Sequence, residues 1–230
     1  MIVEAIIANY RRPINMPPTS TVGRIGTPRQ PIRCAILISG SGSGMQAMLT
    51  HQQTTNCSHI TSVVISNKAD VLGIDKALAL NTPVEVIELP AILDKDERRH
   101  QHELMIDETL HNYQVELIIL SGYMRLLSID FIDKWQGQII NIHPSLLPDF
   151  PGANAHRDVI SAGVKKSGCT VHYVDSGMDT GEIIAQCEVD VLPEDTEETL
   201  SNKVKTFEHI LYPLVIDAVA TNDFSNLSFD

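Results

Sequence analysis

The amino-acid sequence predicts an α/β fold of Rossmann-like type, a mostly parallel sheet with one antiparallel edge and helices on both faces. Three observations carry this. From Cys34 onward short apolar runs alternate with helix-length segments, which implies right-handed crossovers between parallel strands. A Gly/Ser loop joins the first apolar run to the first helical segment. The last two strand-like runs are separated by a loop too short for a parallel crossover, so they pair antiparallel at an edge.

Taken in order, Cys34–Ile38 is a short apolar strand that ends in Ser39-Gly40-Ser41-Gly42-Ser43-Gly44. A helical stretch with Met45, Met48 and Leu49 follows. His59–Ser66 reads as the second strand, Val71–Leu80 as a helix and Pro83–Ile87 as the third strand. The charged stretch 94–112 is a helix, and His100 and His102 within it lie two apart, a spacing that does not share a helix face. A solvated helix surface accounts for both. Val115–Leu120 and Gln138–Ile142 are further strands, and Gly168–Val174 with Ile183–Val189 form the antiparallel pair. A closing helix begins near Thr196, with Asp195 as its expected N-cap and Glu197 and Glu198 favouring its positive end.

The ends differ from this pattern. Residues 1–33 hold five prolines and no periodicity, and are expected to be a disordered or processed extension. Residues 34–222 make the domain and 223–230 a short tail. The extension carries five arginines against Glu4, a net charge of +4, which leaves −16 on the rest of a chain whose total is −12. An Arg-containing, acid-poor leader is also compatible with organellar import, so a cytoplasmic location is expected with import left open.

An acidic chain is a poor general nucleic-acid binder, because phosphate neutralisation needs a basic face. No apolar run reaches the roughly 20 residues of a membrane-spanning helix. Cys34, Cys57, Cys169 and Cys187 show neither close pairing nor metal-ligand spacing, so they read as thiols in a reducing compartment.

Three segments carry chemistry. The strand–loop–helix arrangement at Ser39–Gly44 aims backbone N–H groups and a helix dipole at an anion. It lacks the Lys of a nucleotide P-loop, and Met45 stands where a dinucleotide fingerprint needs its third glycine. A single phosphate on a small substrate suits it best. In Asn141-Ile142-His143-Pro144-Ser145-Leu146-Leu147-Pro148, Asn141 and His143 share a side by the period-two rule. They leave the carboxyl end of a strand, where open α/β sheets hold ligands, and prolines stiffen the chain beyond. In Asp175-Ser176-Gly177-Met178-Asp179-Thr180-Gly181, turn formation explains both carboxylates unless one meets a histidine.

These segments, in this order, resemble the phosphoribosylglycinamide formyltransferase family. So do Ser66-Asn-Lys-Ala-Asp70, Ser121-Gly-Tyr-Met-Arg-Leu-Leu-Ser128, Pro151-Gly152, Glu208-His209 and Tyr212-Pro213, and the likeness runs from about Cys34 to about Ala220. The resemblance implies transfer of a formyl group from 10-formyltetrahydrofolate, as co-substrate, to the amine of glycinamide ribonucleotide, in purine biosynthesis. It assigns catalysis to Asn141, His143 and Asp179 and the ribonucleotide phosphate to Gly42, Ser43 and Gly44. Glu208 falls near the polar groups of that substrate. The folate falls on Met124, Arg125, Leu126, Leu127, Val174 and Ser176. No metal, nucleic-acid or membrane partner is implied, and a monomer or homodimer is expected.

Three positions depart from the family pattern: Gly44 stands for a usual Asn, Asn154 for a frequent His, and Glu182 for a common Pro. The second of these leaves His156 as the basic group near the phosphate. Two other readings stay open, a formyltetrahydrofolate hydrolase and a non-catalytic folate- or nucleotide-binding module.

Overall fold

The computed structural model describes residues 10–11 and 22–227. The strands are β1 (Tyr10–Arg11), β2 (Ile32–Ile38), β3 (His59–Ser66), β4 (Val84–Val86), β5 (Leu117–Leu120), β6 (Ile139–His143), β7 (Lys166–Tyr173) and β8 (Ile183–Asp190). They form one sheet in the order β1-β8-β7-β6-β5-β2-β3-β4. The run from β6 to β4 is parallel, and β6–β7, β7–β8 and β8–β1 are antiparallel, as the short β7–β8 connection requires. The helices are α1 (Ser43–Thr54), α2 (Leu72–Ala79), α3 (Lys95–Asn112), α4 (Ile129–Lys134), α5 (Ala155–Ala162) and α6 (Glu197–Thr221).

Each central strand is buried on both faces, so its residues feed two cores alternately. Cys34, Ile36 and Ile38 of β2 join Leu117 and Ile119 of β5, Met45 and Leu49 of α1, and Tyr212 and Val215 of α6. Ala35 and Leu37 join Ile118 and Leu120, Ile106 and Leu110 of α3, and Phe131 of α4 on the other face. On β6 the second core ends at Ile139. By strand alternation the next residues on that face are Asn141 and His143, which are thereby held at the carboxyl end of the strand.

Helix α6 fixes this end of the sheet from the opposite side. The buried Tyr212 hydroxyl lies 3.0 Å from the Leu120 carbonyl and 2.8 Å from that of Ile140, the last residue of β5 and the one before Asn141. One tyrosine side chain thus ties α6 to both strands beneath the site.

Several boundaries differ from the sequence-based expectation. The first strand begins at Ile32, not Cys34, and residues 22–31 pack against the domain: Val22 is in the core, and Arg24 makes a two-pronged ion pair with Glu116. Tyr10–Arg11 adds an edge strand to β8; the rest of the expected extension, and the last three residues of the tail, lie outside the described residues. Thr196, not Asp195, caps α6, through a reciprocal pair of bonds with Thr199. Asp195 sits one residue earlier, and its carboxylate accepts from Leu192 N and binds Lys203. His102 is buried rather than solvated, with Nε2 donating to the Ile87 carbonyl at 2.7 Å, because α3 turns that face onto β4 and its flank. The six-residue α4 is too short for a periodic signal, and α5 has no side-chain cap to mark its start.

Replacing Tyr212 by Phe removes the single O–H that the Leu120 and Ile140 carbonyls share. The expected loss is about 1–2 kcal/mol, a drop of about 2–8 °C in melting temperature by differential scanning calorimetry, with the fold unchanged by circular dichroism.

Candidate active site

The site is assembled where β6 meets β7. The antiparallel register sets Asn141 opposite His172 and His143 opposite Thr170. His172 donates Nδ1–H to the Tyr173 carbonyl at 2.8 Å, so in the neutral ring Nε2 is left as an acceptor. Asn141 Nδ2 donates to that atom at 3.2 Å. The amide orientation of Asn141 is therefore dictated by a histidine tautomer, and its second N–H takes no part in that bond. Burial pushes His172 below the ordinary histidine value, which keeps Nε2 unprotonated.

His143 is almost fully buried. Its Nε2 lies 2.9 Å from the Phe150 carbonyl, an acceptor only, so Nε2 carries a proton. Its Nδ1 lies 3.3 Å from Asp179 Oδ2. Any proton exchanged at this ring is thus the one between Nδ1 and the carboxylate.

Asp179 reaches this position by an uncommon backbone conformation, φ +55°, which Asp tolerates better than most residues. Gly152 N–H donates to Oδ2 at 2.8 Å and holds the carboxylate in place, while Oδ1 lies 3.8 Å from His172 Nε2. The loop itself is tied by Asp175, whose carboxylate accepts from Gly177 N and from Thr180 Oγ1. The two carboxylates of this segment are thus separated by environment: Asp175 forms the turn, and Asp179 faces the histidines. Gly181 has no room for a side chain, since an added Cβ would collide with the Tyr173 carbonyl.

The Ser/Gly loop lies at the same edge of the sheet, after β2. Gly42 (φ +63°) precedes α1 with no side-chain cap, which leaves the helix end to a ligand. A Cβ at Gly42 would lie 2.8 Å from Gly73 Cα, so the loop packs closely on the start of α2. A Cβ at Gly44 would lie 2.7 Å from Ser121 Oγ, and the Ser39 hydroxyl accepts from Met124 N at 2.8 Å. These contacts join the anion loop to the 121–128 segment. The far end of that segment is pinned by buried Glu103, which accepts from both the backbone and the hydroxyl of Ser128.

Along that segment Met124 and Leu126 are largely exposed, as is Met178 on the neighbouring loop, while Leu127 and Val174 pack on the second core. Arg125 does not start a helix, since α4 begins after the Ser128 cap; its charge acts on buried His102. Ser176 is exposed at the tip of the Asp175 turn.

Lys205 of α6 acts electrostatically on His156, Glu208 and His209. Burial raises Glu208 to about 7 and, with Lys205, lowers His156 and His209. His156 Nδ1 and His209 Nε2 are buried without hydrogen-bond partners. Lys205 and His172 went unremarked in the sequence. Lys205 has no motif around it, and His172 gains meaning only from its register opposite Asn141.

A family model described as formyl transferase matches residues 32–216. The trifunctional purine biosynthetic protein adenosine-3 of Bos taurus is 44% identical over 190 residues, which are 82% of this chain and 18% of the bovine protein. The chain therefore spans under a fifth of that relative's length. The phosphoribosylglycinamide formyltransferase of Bacillus subtilis (strain 168) is 41% identical over 182 residues, 79% of this chain and 91% of that protein. Among solved structures, glycinamide ribonucleotide transformylase 1 from Symbiobacterium toebii has a TM-score of 0.79 at 38% identity, covering 84% of this chain and 89% of that one. The phosphoribosylglycinamide formyltransferase from Brucella melitensis has a TM-score of 0.76 at 42% identity, covering 83% and 96%.

Two measurements check the electrostatics. Long-range proton–nitrogen NMR is expected to find His172 neutral, protonated on Nδ1 alone, at and somewhat below the ordinary histidine value of 6.5. Glu208, with a folded value near 7 against 4.5, weakens folding as pH rises through that interval, because the unfolded chain ionises first. Glu208→Gln is accordingly expected to stabilise the protein by on the order of 1–2 kcal/mol at about pH 8. The gain should vanish below pH 4.5, as read by urea denaturation at the two pH values.

Proposed function

The chain belongs to the phosphoribosylglycinamide formyltransferases of the formyl transferase family, and from that premise we propose that it moves the formyl group of 10-formyltetrahydrofolate to the amine of glycinamide ribonucleotide. The observation that carries this reading is the convergence of Asn141, His143 and Asp179, with Asn141 and His143 each held in one hydrogen-bonding state by its neighbours.

The chemistry follows from those states. The amine lone pair attacks the formyl carbon, and the carbonyl pair moves onto oxygen. Asn141, its amide turned by His172, donates its free N–H to that oxyanion; one such preorganised donor is typically worth about 10²–10³ in rate. His143, when it holds a proton on Nδ1, supplies positive charge near the oxyanion, and Asp179 supplies a carboxylate near the nascent ammonium. A proton leaves the attacking nitrogen and arrives, through this pair or a water beside it, on the folate nitrogen as the C–N bond breaks. Formylated ribonucleotide and tetrahydrofolate result, with atoms and charge balanced.

For the ribonucleotide we assign the phosphate to Gly42, Ser43 and Gly44 at the start of α1, with Lys205 as the cation that an acidic chain must place locally and the neutral His156 ring beside it. Glu208 then meets the polar groups of the same substrate. Met124, Arg125, Leu126, Leu127, Val174 and Ser176 form the folate side, where exposed Met124 and Leu126 offer apolar surface to a flat ring. Among the described residues no helix is long and apolar enough to cross a membrane. Four free cysteines suit a reducing compartment such as the cytoplasm.

Release of tetrahydrofolate, followed by absorbance, is expected only when glycinamide ribonucleotide is present; release in its absence would assign a hydrolase instead. Asp179→Asn and His143→Ala are each expected to lower kcat by about 10²–10⁴ while the folded state is retained. Near-full activity in either would remove the pair from the mechanism.

A further inference from the structure

A second cluster of chemically capable side chains lies at the opposite edge of the sheet. His51 is in the last turn of α1, Cys57 lies in the following connection, His59 opens β3, and Asp217 belongs to the last turns of α6. Because β3 runs parallel to β6, its first residue is at the edge away from Asn141 and His143. One ligand atom from each of the four residues lies within 4.8 Å of the others. Nothing in the formyl-transfer chemistry uses them.

The two histidines do not hold equivalent positions. Gln52 is fixed by Thr61, whose N–H donates to Oε1 at 3.1 Å, so Gln52 Nε2 is the donor to His59 Nδ1 at 2.8 Å. The neutral His59 ring therefore carries its proton on Nε2. That atom is fully buried and lies 3.0 Å from Asp217 Oδ1, yet off the line a hydrogen bond needs, so it is left without one. A buried, unsatisfied N–H beside a carboxylate marks a cluster whose arrangement is incomplete. His51 Nε2 meets the other oxygen, Oδ2, at 2.7 Å, and its ring is partly open to solvent. Cys57 is half-buried with Sγ 2.7 Å from the Thr55 hydroxyl, so an entering ion has a path.

We propose that His51, Cys57 and Asp217 form a site for a divalent transition-metal ion of the zinc class, the Asp217 carboxylate turning as it binds so that the His59 N–H, unsatisfied in the free chain, donates to its second oxygen. One imidazole, one thiolate and one carboxylate are the donor types that zinc takes, and three protein ligands leave its fourth position to water. A histidine N–H on the far oxygen of a ligating carboxylate is the outer hydrogen bond such sites use. The charges balance: the thiol proton and the proton shared by His51 and Asp217 leave to solvent, and the ion with one thiolate and one carboxylate is neutral. The ion would clamp the ends of α1 and α6 to the start of β3, away from the cleft.

The full chain, freed of metal by a chelator under reducing conditions, is titrated with Co(II) and separately with Zn(II). One equivalent of Co(II) should give the near-ultraviolet thiolate-to-cobalt band, and saturating Zn(II) should raise the melting temperature by about 5–10 °C. The band should disappear in Cys57→Ser and in His51→Gln, with formyl transfer by both metal-free variants unchanged. His59→Gln should keep the band at about 10–100-fold weaker affinity. In the unaltered chain, Zn(II) should also protect Cys57 from alkylation, read by peptide mass spectrometry, which tests the site without relying on a variant's folding. No band, no thermal shift and no protection would leave the cluster a metal-free tether, and a band surviving in Cys57→Ser would place the thiolate elsewhere; either result overturns the proposal.

Discussion

The antiparallel pairing of β6 with β7 is the constraint on which the site depends. A parallel neighbour would have carried the chain away through a crossover. The antiparallel one, after the connection that carries α5, runs back along β6, setting His172 against Asn141 and then delivering the 175–181 loop over His143. Each polar group acquires its state from that pairing. His172 becomes a buried acceptor, Asn141 is turned by it, and Asp179 is brought within 3.3 Å of a ring whose other nitrogen is already committed to a carbonyl. Tyr212, reaching through the sheet from α6, holds the strands underneath at the register this arrangement needs.

With a net charge of −12, any positive potential the protein offers has to be local. The structure concentrates it at one end of the sheet, in the uncapped start of α1 and in Lys205 among His156, His209 and Glu208. The burial that lowers the two histidines also raises Glu208, so this pocket holds several groups near their neutral forms before substrate arrives. An anion entering it meets little opposing charge and two buried ring nitrogens without partners.

How much of this was legible differs residue by residue. The strands from β2 to β8 could be read because apolar and β-branched residues cluster in each of them between turns. The pairing of β7 with β8 could be read from one loop length. Asn141 and His143 were visible as a co-facing pair. The helix α4 is six residues long, too short for periodicity to separate it from loop, and α5 starts after the turn-rich stretch Asp149–Asn154 with no side-chain cap to mark it. His102 read as solvated because its own helix is strongly charged, whereas its burial is decided by what α3 lies against. The cap of α6 shifted from Asp195 to Thr196 because both residue types cap well, and only the Thr199 geometry chooses between them.

The sequence by itself determined the strands from β2 to β8, their mixed direction and the segments proposed to carry chemistry, because hydrophobic periodicity, turn composition and connection length are local properties; the edge strand Tyr10–Arg11 was not among them. Only the tertiary structure decided which of Asp175 and Asp179 faces a histidine and which tautomer His172 holds. It alone brought Lys205 to the pocket, and His51, Cys57, His59 and Asp217 together at the far edge. Those outcomes depend on contacts between residues up to 166 positions apart, as in the His51–Asp217 pair. Burial and register, not residue type, set hydrogen-bonding state and charge, and neither exists until the strands and helices are packed.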